Sequence, residues 1–217
     1  MQQLLTGRVR LPGFSGQWQE VKLGDLGESF NGLTGKSKDD FGEGSSFISY
    51  LNVFNNSKID IHQFDSVKIE ADENQNEVKY GDLFFTVSSE TPEEVGMCSV
   101  LLDHVEGVYL NSFCFGFRLH SFDILSPEFA RYFFRAYSIR KKITSLAQGS
   151  TRFNLSKNQM KKMQFSLPPT EEQTAIARIL TTADAELALL ERRLAALQAQ
   201  KRGLMQVLLT GKIRVKV

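Results

Sequence analysis

Apolar residues keep two different rhythms along this chain. Towards the end they recur at helical spacing: Ile176, Leu180, Ala183, Leu187, Leu190, Leu194, Leu197, Leu204 and Leu208 fall at alternating steps of four and three, and only Lys201 breaks the series. A stripe of that period over more than four heptads predicts a coiled-coil seam. Pro168-Pro169 bars an earlier start. Thr170 and Gln173 have capping-box spacing, Glu171 and Glu172 place negative charge at the positive end of the helix dipole, and Gly211 supplies a stop. From Glu171 to Leu209 such a helix is about 58 Å long, at ~1.5 Å per residue. Nothing else in the chain offers an apolar partner of that length, so the seam predicts a second chain. Lys201 at a seam position would bring two ammonium groups together in a parallel pair, which favours an antiparallel one. A single helix lying along its own domain is the simpler alternative.

Residues 17–167 show the other rhythm, and read as a mixed α and β domain. Apolar, aromatic and β-branched runs at 47–53, 83–87, 99–102 and 113–119 predict strands. Ser126 opens a helix through Phe129, Tyr132, Phe133, Ala136, Ile139, Ile143 and Leu146, closed by Gly149. Ser156 and Gln159 form a second capping-box pair ahead of a short helix. Between these helices lies Gly149-Ser150-Thr151-Arg152-Phe153-Asn154, a loop of small donors, a guanidinium and an amide. Those are the side chains that bond phosphates and base edges. Loops at 31–38 and 88–91 have similar chemistry.

The two ends of the chain match each other. The first ten residues read MQQLLTGRVR and residues 205–214 read MQVLLTGKIR, identical at seven of ten positions with a period of 204 residues. One repeat unit plus a short overlap is what half of a longer, duplicated protein would look like, so the chain is expected to work as one of two copies.

Charge changes the picture more than composition does. A hydrophobic content of 41% with 24% charged residues excludes wholesale disorder. No apolar run approaches the ~20 residues of a membrane span. The start is not a signal peptide, because Arg8 and Arg10 follow a very short apolar stretch. Cys98 and Cys114 read as buried thiols in a reducing compartment, and the expected setting is intracellular. The net charge is only +1, yet residues 39–128 carry 17 acids against four bases, while residues 131–165 carry nine bases and no acid. At 100° per residue Arg131, Arg135 and Lys142 fall within about 40° of one another on a helix. Arg131, Arg135, Lys142, Lys157, Lys161 and Lys162 are therefore candidates to grip phosphates. Arg152, Asn154, Ser88, Thr91, Asn52 and Lys36 are candidates to read bases.

No catalytic constellation emerges. Gly32-Leu33-Thr34-Gly35-Lys36-Ser37 imitates a phosphate-binding loop, but the required glycine at position 30 is Phe30. Asp65 with Glu77-Val78-Lys79 imitates the acidic array that holds Mg²⁺ in nucleases. His62, His104 and His120 lack metal-ligand spacing, and no Cys-x-x-Cys occurs. Two other classes stay open: a coiled-coil adaptor that binds only proteins, and a Mg²⁺-dependent nuclease resting on Asp65, Glu77 and Lys79.

The end motifs carry a family resemblance. Leu167-Pro168-Pro169-Thr170-Glu171-Glu172-Gln173-Thr174-Ala175-Ile176-Ala177, the leucine heptads and Gly203-Leu204-Met205-Gln206-Val207-Leu208-Leu209-Thr210-Gly211 resemble the conserved region of type I restriction–modification specificity subunits. Leu5-Thr6-Gly7-Arg8-Val9-Arg10-Leu11-Pro12-Gly13-Phe14 with Trp18 resembles the passage from a conserved helix into the next target recognition domain. Gly81-Asp82-Leu83-Phe84-Phe85 and Gly149-Ser150-Thr151-Arg152 with Asn154-Leu155-Ser156 resemble patterns within those domains. Members usually carry two recognition domains and two helices; this chain carries one of each, and so resembles a half-subunit.

The resemblance implies an α+β fold: an N-terminal segment (1–16), a mixed target recognition domain (17–168), a long helix (169–209) that pairs antiparallel as a coiled coil, and a C-terminal tail (210–217). It implies a non-catalytic DNA specificity subunit in the cytoplasm of a bacterium or archaeon. Such a subunit reads half of a bipartite double-stranded target and holds methyltransferase and restriction subunits. S-adenosylmethionine, ATP and Mg²⁺ would belong to those partners, with no cofactor or metal on this chain. A second copy, or another half-subunit, would pair through Ile176, Leu180, Leu187, Leu190, Leu194, Leu197, Leu204 and Leu208. Two identical halves would read a gapped palindrome, with half-sites at most about 17 base pairs apart at ~3.4 Å each.

Overall fold

The computed structural model describes residues 1–214. Residues 1–177 form one compact unit, and a second begins at Arg178. The first holds α1 (Gln2–Leu5), β1 (Gln19–Lys22), α2 (Leu23–Leu26), β2 (Gly27–Asn31), β3 (Phe41–Ile48), α3 (Tyr50–Asn55), β4 (Phe64–Val67), β5 (Leu83–Thr86), β6 (Ser88–Ser89), β7 (Cys98–Val100), β8 (Val108–Leu110) and β9 (Cys114–Leu119). It continues through α4 (Pro127–Phe133), α5 (Tyr137–Thr144), β10 (Phe153–Asn154), α6 (Lys157–Lys161) and β11 (Gln164–Leu167), and helix α7 (Thr170–Leu208) follows. The mixed α+β class and the long C-terminal helix agree with the sequence reading. The last three residues of the expected tail lie outside the described residues.

An antiparallel sheet in the order β2-β9-β5-β7 forms the centre, and a second sheet runs β4-β3-β8 with β3 and β8 parallel. Two-stranded ribbons join β1 to β11 and β6 to β10. Every residue of β5 is buried, and successive side chains point to opposite faces, so the central sheet is covered on both sides. Phe84 enters one cluster with Ile48, Val53, Ile59 and Leu110. Phe85 lies 5.3 Å from the Phe115 ring and 5.4 Å from Phe134. Phe133, Phe134 and Phe165 continue that aromatic cluster with edge-to-face contacts. Cys98 and Cys114 are free and buried.

The Gly-Asp-Leu-Phe-Phe pattern has a physical basis. Gly81 holds φ +84°, where a Cβ would run into the Phe122 ring. The buried Asp82 carboxylate accepts from Arg118 Nε at 2.8 Å and Nη2 at 2.6 Å, and from the Lys79 N–H at 2.8 Å. Arg118 sits on β9, so this pair pins the entry of β5 to its neighbour.

The structure corrects three local expectations. The run 47–53 is not one strand: β3 stops at Ile48, Ser49 takes an extended N-cap conformation and α3 begins. The helix opened by Ser126 breaks into α4 and α5, because Ala136 is extended at φ −66°, ψ 142°. Neither later capping box forms. Ser156 makes no side-chain cap. Gln173 is buried and bonds the Ser126 N–H and the carbonyls of Ile124 and Pro168, while Thr170 Oγ1 donates to the Asp123 carbonyl.

Arg118→Ala should leave Asp82 buried without its cation. We expect a loss of about 2–3 kcal/mol, below the full buried-pair range because the guanidinium is 37% exposed. Urea unfolding measures this, and an unchanged midpoint would contradict the role given to the pair.

Candidate nucleic-acid interface

Two of the nine bases in the acid-free segment turn inward. Arg135 sits at the break between α4 and α5. Its Nε donates to the Cys98 carbonyl at 2.6 Å, and its Nη2 lies 2.6–2.8 Å from the carbonyls of Val53, Phe54 and Asn56. Arg140 donates to the carbonyls of Glu93 at 2.8 Å, Val95 at 2.6 Å and Gly96. Burial pulls both guanidinium pKa values down. Arg135 is therefore corrected from a phosphate candidate to a structural residue, and the helix break removes the shared face expected for Arg131, Arg135 and Lys142.

The other phosphate candidates keep some access to the surface. Arg131 is half-buried, its guanidinium 4.4 Å from the centre of the Tyr132 ring. Lys142 is exposed and bonds the Gln164 carbonyl at 3.0 Å. Lys157 donates to Asn31 Oδ1 beside the Phe115 ring, and partial burial lowers its pKa. Lys161 is half-buried and Lys162 exposed.

Among the base-reading candidates, Asn52 is a correction. It is 1% exposed, its amide donates to the carbonyls of Asp60 and Gln63, and its Oδ1 accepts from the Asp60 N–H and from Asn56. No hydrogen-bonding edge is left for a base. Lys36 pairs with Glu73 and its side chain is only 5% exposed, so it too is withdrawn from reading. The remaining four gather. Asn154 pairs with Ser88 across the β6–β10 ribbon, Arg152 Nε donates to Ser88 Oγ at 3.3 Å, and the exposed Thr91 bonds Ser89 Oγ through its N–H.

Beside this ribbon lies an open cleft of about 360 Å³ lined by Tyr50, Leu51, Phe54, Ser88, Ser89, Glu90, Glu94, Phe113 and Arg152. Leu51 and Phe113 are 63% and 57% exposed, unusual for residues of their size. Tyr50 and Phe54 stack at 5.8 Å, and the Tyr50 hydroxyl donates to the Ser88 carbonyl. The wall is chemically mixed: a guanidinium suits guanine, carboxylates suit the cytosine amino group, and Leu51 and Phe113 suit a thymine methyl. Sequence reading missed Tyr50, Leu51 and Phe113 because it placed them in strands, and it assigned Phe54 to no element.

Of the Mg²⁺-site candidates, Asp65 lies on β4 opposite Phe47, and Glu77 bridges to Tyr109. Among the described residues no three His, Cys, Asp or Glu side chains gather as a metal site. No helix among them is long and apolar enough to cross a membrane. Along α7, Ile176 and Leu180 are buried within the single chain, which removes them from any seam. The open seam runs from Leu187 through Leu190, Leu194, Leu197 and Leu204 to Leu208, all at least 40% exposed.

Replacing Arg135 with Ala should therefore unfold rather than merely weaken a DNA contact. Four stranded carbonyls predict a loss of about 3 kcal/mol or more, and Lys should rescue poorly because it lacks the planar fork. Thermal unfolding checks this; a stable variant with selectively reduced DNA affinity would return Arg135 to the interface.

Known proteins resemble this chain throughout. A protein of Methanocaldococcus jannaschii described as the type I restriction enzyme MjaX specificity subunit is 28% identical over 211 residues, covering 89% of this chain and 45% of its own. The S subunit of a type I restriction–modification system from M. genitalium superposes with a TM-score of 0.56 at 19% identity, covering 93% of this chain and 46% of that one. The HsdS subunit from Thermoanaerobacter tengcongensis superposes with a TM-score of 0.59 at 17% identity, covering 95% of this chain and 48% of that one. The chain thus spans about half the length of the relatives it matches. Residues 15–199 match the model of the type I restriction modification DNA specificity domain, and the chain belongs to that family.

Proposed function

We propose that this chain is a DNA specificity subunit that reads one half of a bipartite double-stranded target. The observation that supports the reading most is the convergence of Arg152, Asn154, Ser88 and Thr91 at the β6–β10 ribbon, beside a cleft with exposed Leu51 and Phe113. Arg131, Lys142, Lys157, Lys161 and Lys162 hold phosphates and set the register. The chain performs no catalysis and binds no cofactor or metal of its own. It holds methyltransferase and restriction subunits in the cytoplasm, and those partners bring S-adenosylmethionine, ATP and Mg²⁺.

Two copies pair antiparallel along the open leucine seam, which needs an apolar partner of similar length. Antiparallel pairing keeps the two Lys201 ammonium groups apart. Two identical halves then read a palindrome across an unspecified gap, and helix length sets the spacing.

The two kinds of contact separate in a binding assay on the chain bound to its methyltransferase. Lys161→Gln with Lys162→Gln should weaken all sequences alike and lower the salt slope by about 1 per lost phosphate contact. Arg152→Ala should relax discrimination at one base pair by about 1–3 kcal/mol and leave the slope nearly unchanged. The same uniform loss from both changes would contradict this division of roles.

A further inference from the structure

DNA reading leaves the ten-residue repeat unexplained. The two copies share a conformation as well as a sequence. Leu5 N–H bonds Met1 O at 3.2 Å, and Leu209 N–H bonds Met205 O at 3.0 Å. Gly7 N–H bonds Leu4 O at 3.3 Å, and Gly211 N–H bonds Leu208 O at 3.2 Å. Val9 N–H bonds Gln3 O at 3.2 Å, and Ile213 N–H bonds Val207 O at 3.1 Å. The hydroxyls of Thr6 and Thr210 each donate to the carbonyl four residues back. Gly7 and Gly211 turn the chain with φ of 68° and 71°. Each copy ends a helix in the same hook.

Their surroundings differ completely. Leu5 is 1% exposed and Leu209 is 78% exposed. The first hook is seated in its own domain, where Leu5 and Thr6 border a groove with Trp18, Phe133, Ile139 and Phe165. Gly7 lies against the Trp18 ring, and Gln2 Oε1 accepts from the Tyr137 N–H at 2.9 Å. Arg10 closes the seat with paired bonds of 2.6 Å to both oxygens of Glu172, whose side chain is 1% exposed.

The differences between the copies fall where they would not disturb this fit. Gln3, Arg8 and Val9, replaced by Val207, Lys212 and Ile213, are all exposed in the first hook. The positions that the domain covers, Leu4, Leu5, Thr6, Gly7 and Arg10, are identical in the second. Glu172 adds a charge condition. A seat emptied of Arg10 would strand a buried carboxylate, so the seat accepts only an occupant that restores a cation there. Arg214 is at that position in the second hook.

We propose that the groove accepts residues 205–214 of a second copy of this chain in exchange for its own residues 1–10. Leu209 then replaces Leu5, and Arg214 replaces Arg10 against Glu172. The exchange is reciprocal in a two-fold pair. It does not rest on DNA reading, and its test contains no DNA.

Lys212 has no lysine counterpart in the first hook, and Lys142 borders the groove. Two full-length copies are co-expressed, one carrying Lys142→Arg and the other Lys212→Arg, and treated with a short amine-reactive cross-linker. A link between the remaining Lys142 and Lys212 then forms only between chains, and mass spectrometry should find it. Leu209→Ser in the copy that retains Lys212 should abolish it. Leu5→Ser in the copy that retains Lys142 should raise it several-fold, by freeing the groove. Glu172→Gln in that same copy should lower it, and circular dichroism establishes that each variant is folded. Absence of the link between folded copies, or a link that survives Leu209→Ser at full yield, would overturn the proposal.

Discussion

Two inward-turned, partly buried guanidinium groups hold the candidate site in place. Arg135 joins the end of α3 to β7 from the break between α4 and α5, and Arg140 gathers the loop that follows β6. Of the residues that line the cleft, Tyr50, Leu51 and Phe54 belong to α3, and Glu90 and Glu94 to the segment that follows β6. Carbonyl groups removed from water need donors, and one planar fork satisfies several at once. The helical layer therefore fixes the cleft through hydrogen bonds as well as through the phenylalanine core.

The larger features were legible in the sequence because local rules govern them. Period and proline position mark α7, the buried strand β5 reads as an apolar run bounded by Gly81, and the end motifs identify the family. The failures share one cause, which is partners distant in sequence. Arg135 looks like one cation of a basic stripe until carbonyls from about residue 53 to residue 98 are brought to it. Asn52 looks like a polar reader until the loop at Asp60 and Gln63 closes over it. Tyr50 and Leu51 look like strand core, since nothing local reveals that Ser49 turns the chain into a helix that presents them at a cleft.

The site was legible in part. Ser88, Thr91, Arg152 and Asn154 come from two loops about 60 residues apart, and only the β6–β10 ribbon makes them neighbours. Their polar chemistry was visible; the exposed Leu51 and Phe113 beside them were not, because apolar residues are ordinarily assigned to the core. The terminal repeat was visible as a pattern, but its meaning required the contrast between a seated hook and an exposed one. In the proposed pair, the open seam and the hook beyond it are two separate contacts for a second copy.

The central functional claim is that this chain selects a DNA sequence. Co-expression with the methyltransferase subunit proposed as its partner, followed by mapping of methylated adenines across the host genome, tests it most directly. Methylation at a gapped palindrome is the expected result, with two identical half-sites set apart by the paired helices. No new methylation, with the methyltransferase shown to be bound and folded, would contradict it and leave the chain as an adaptor between proteins.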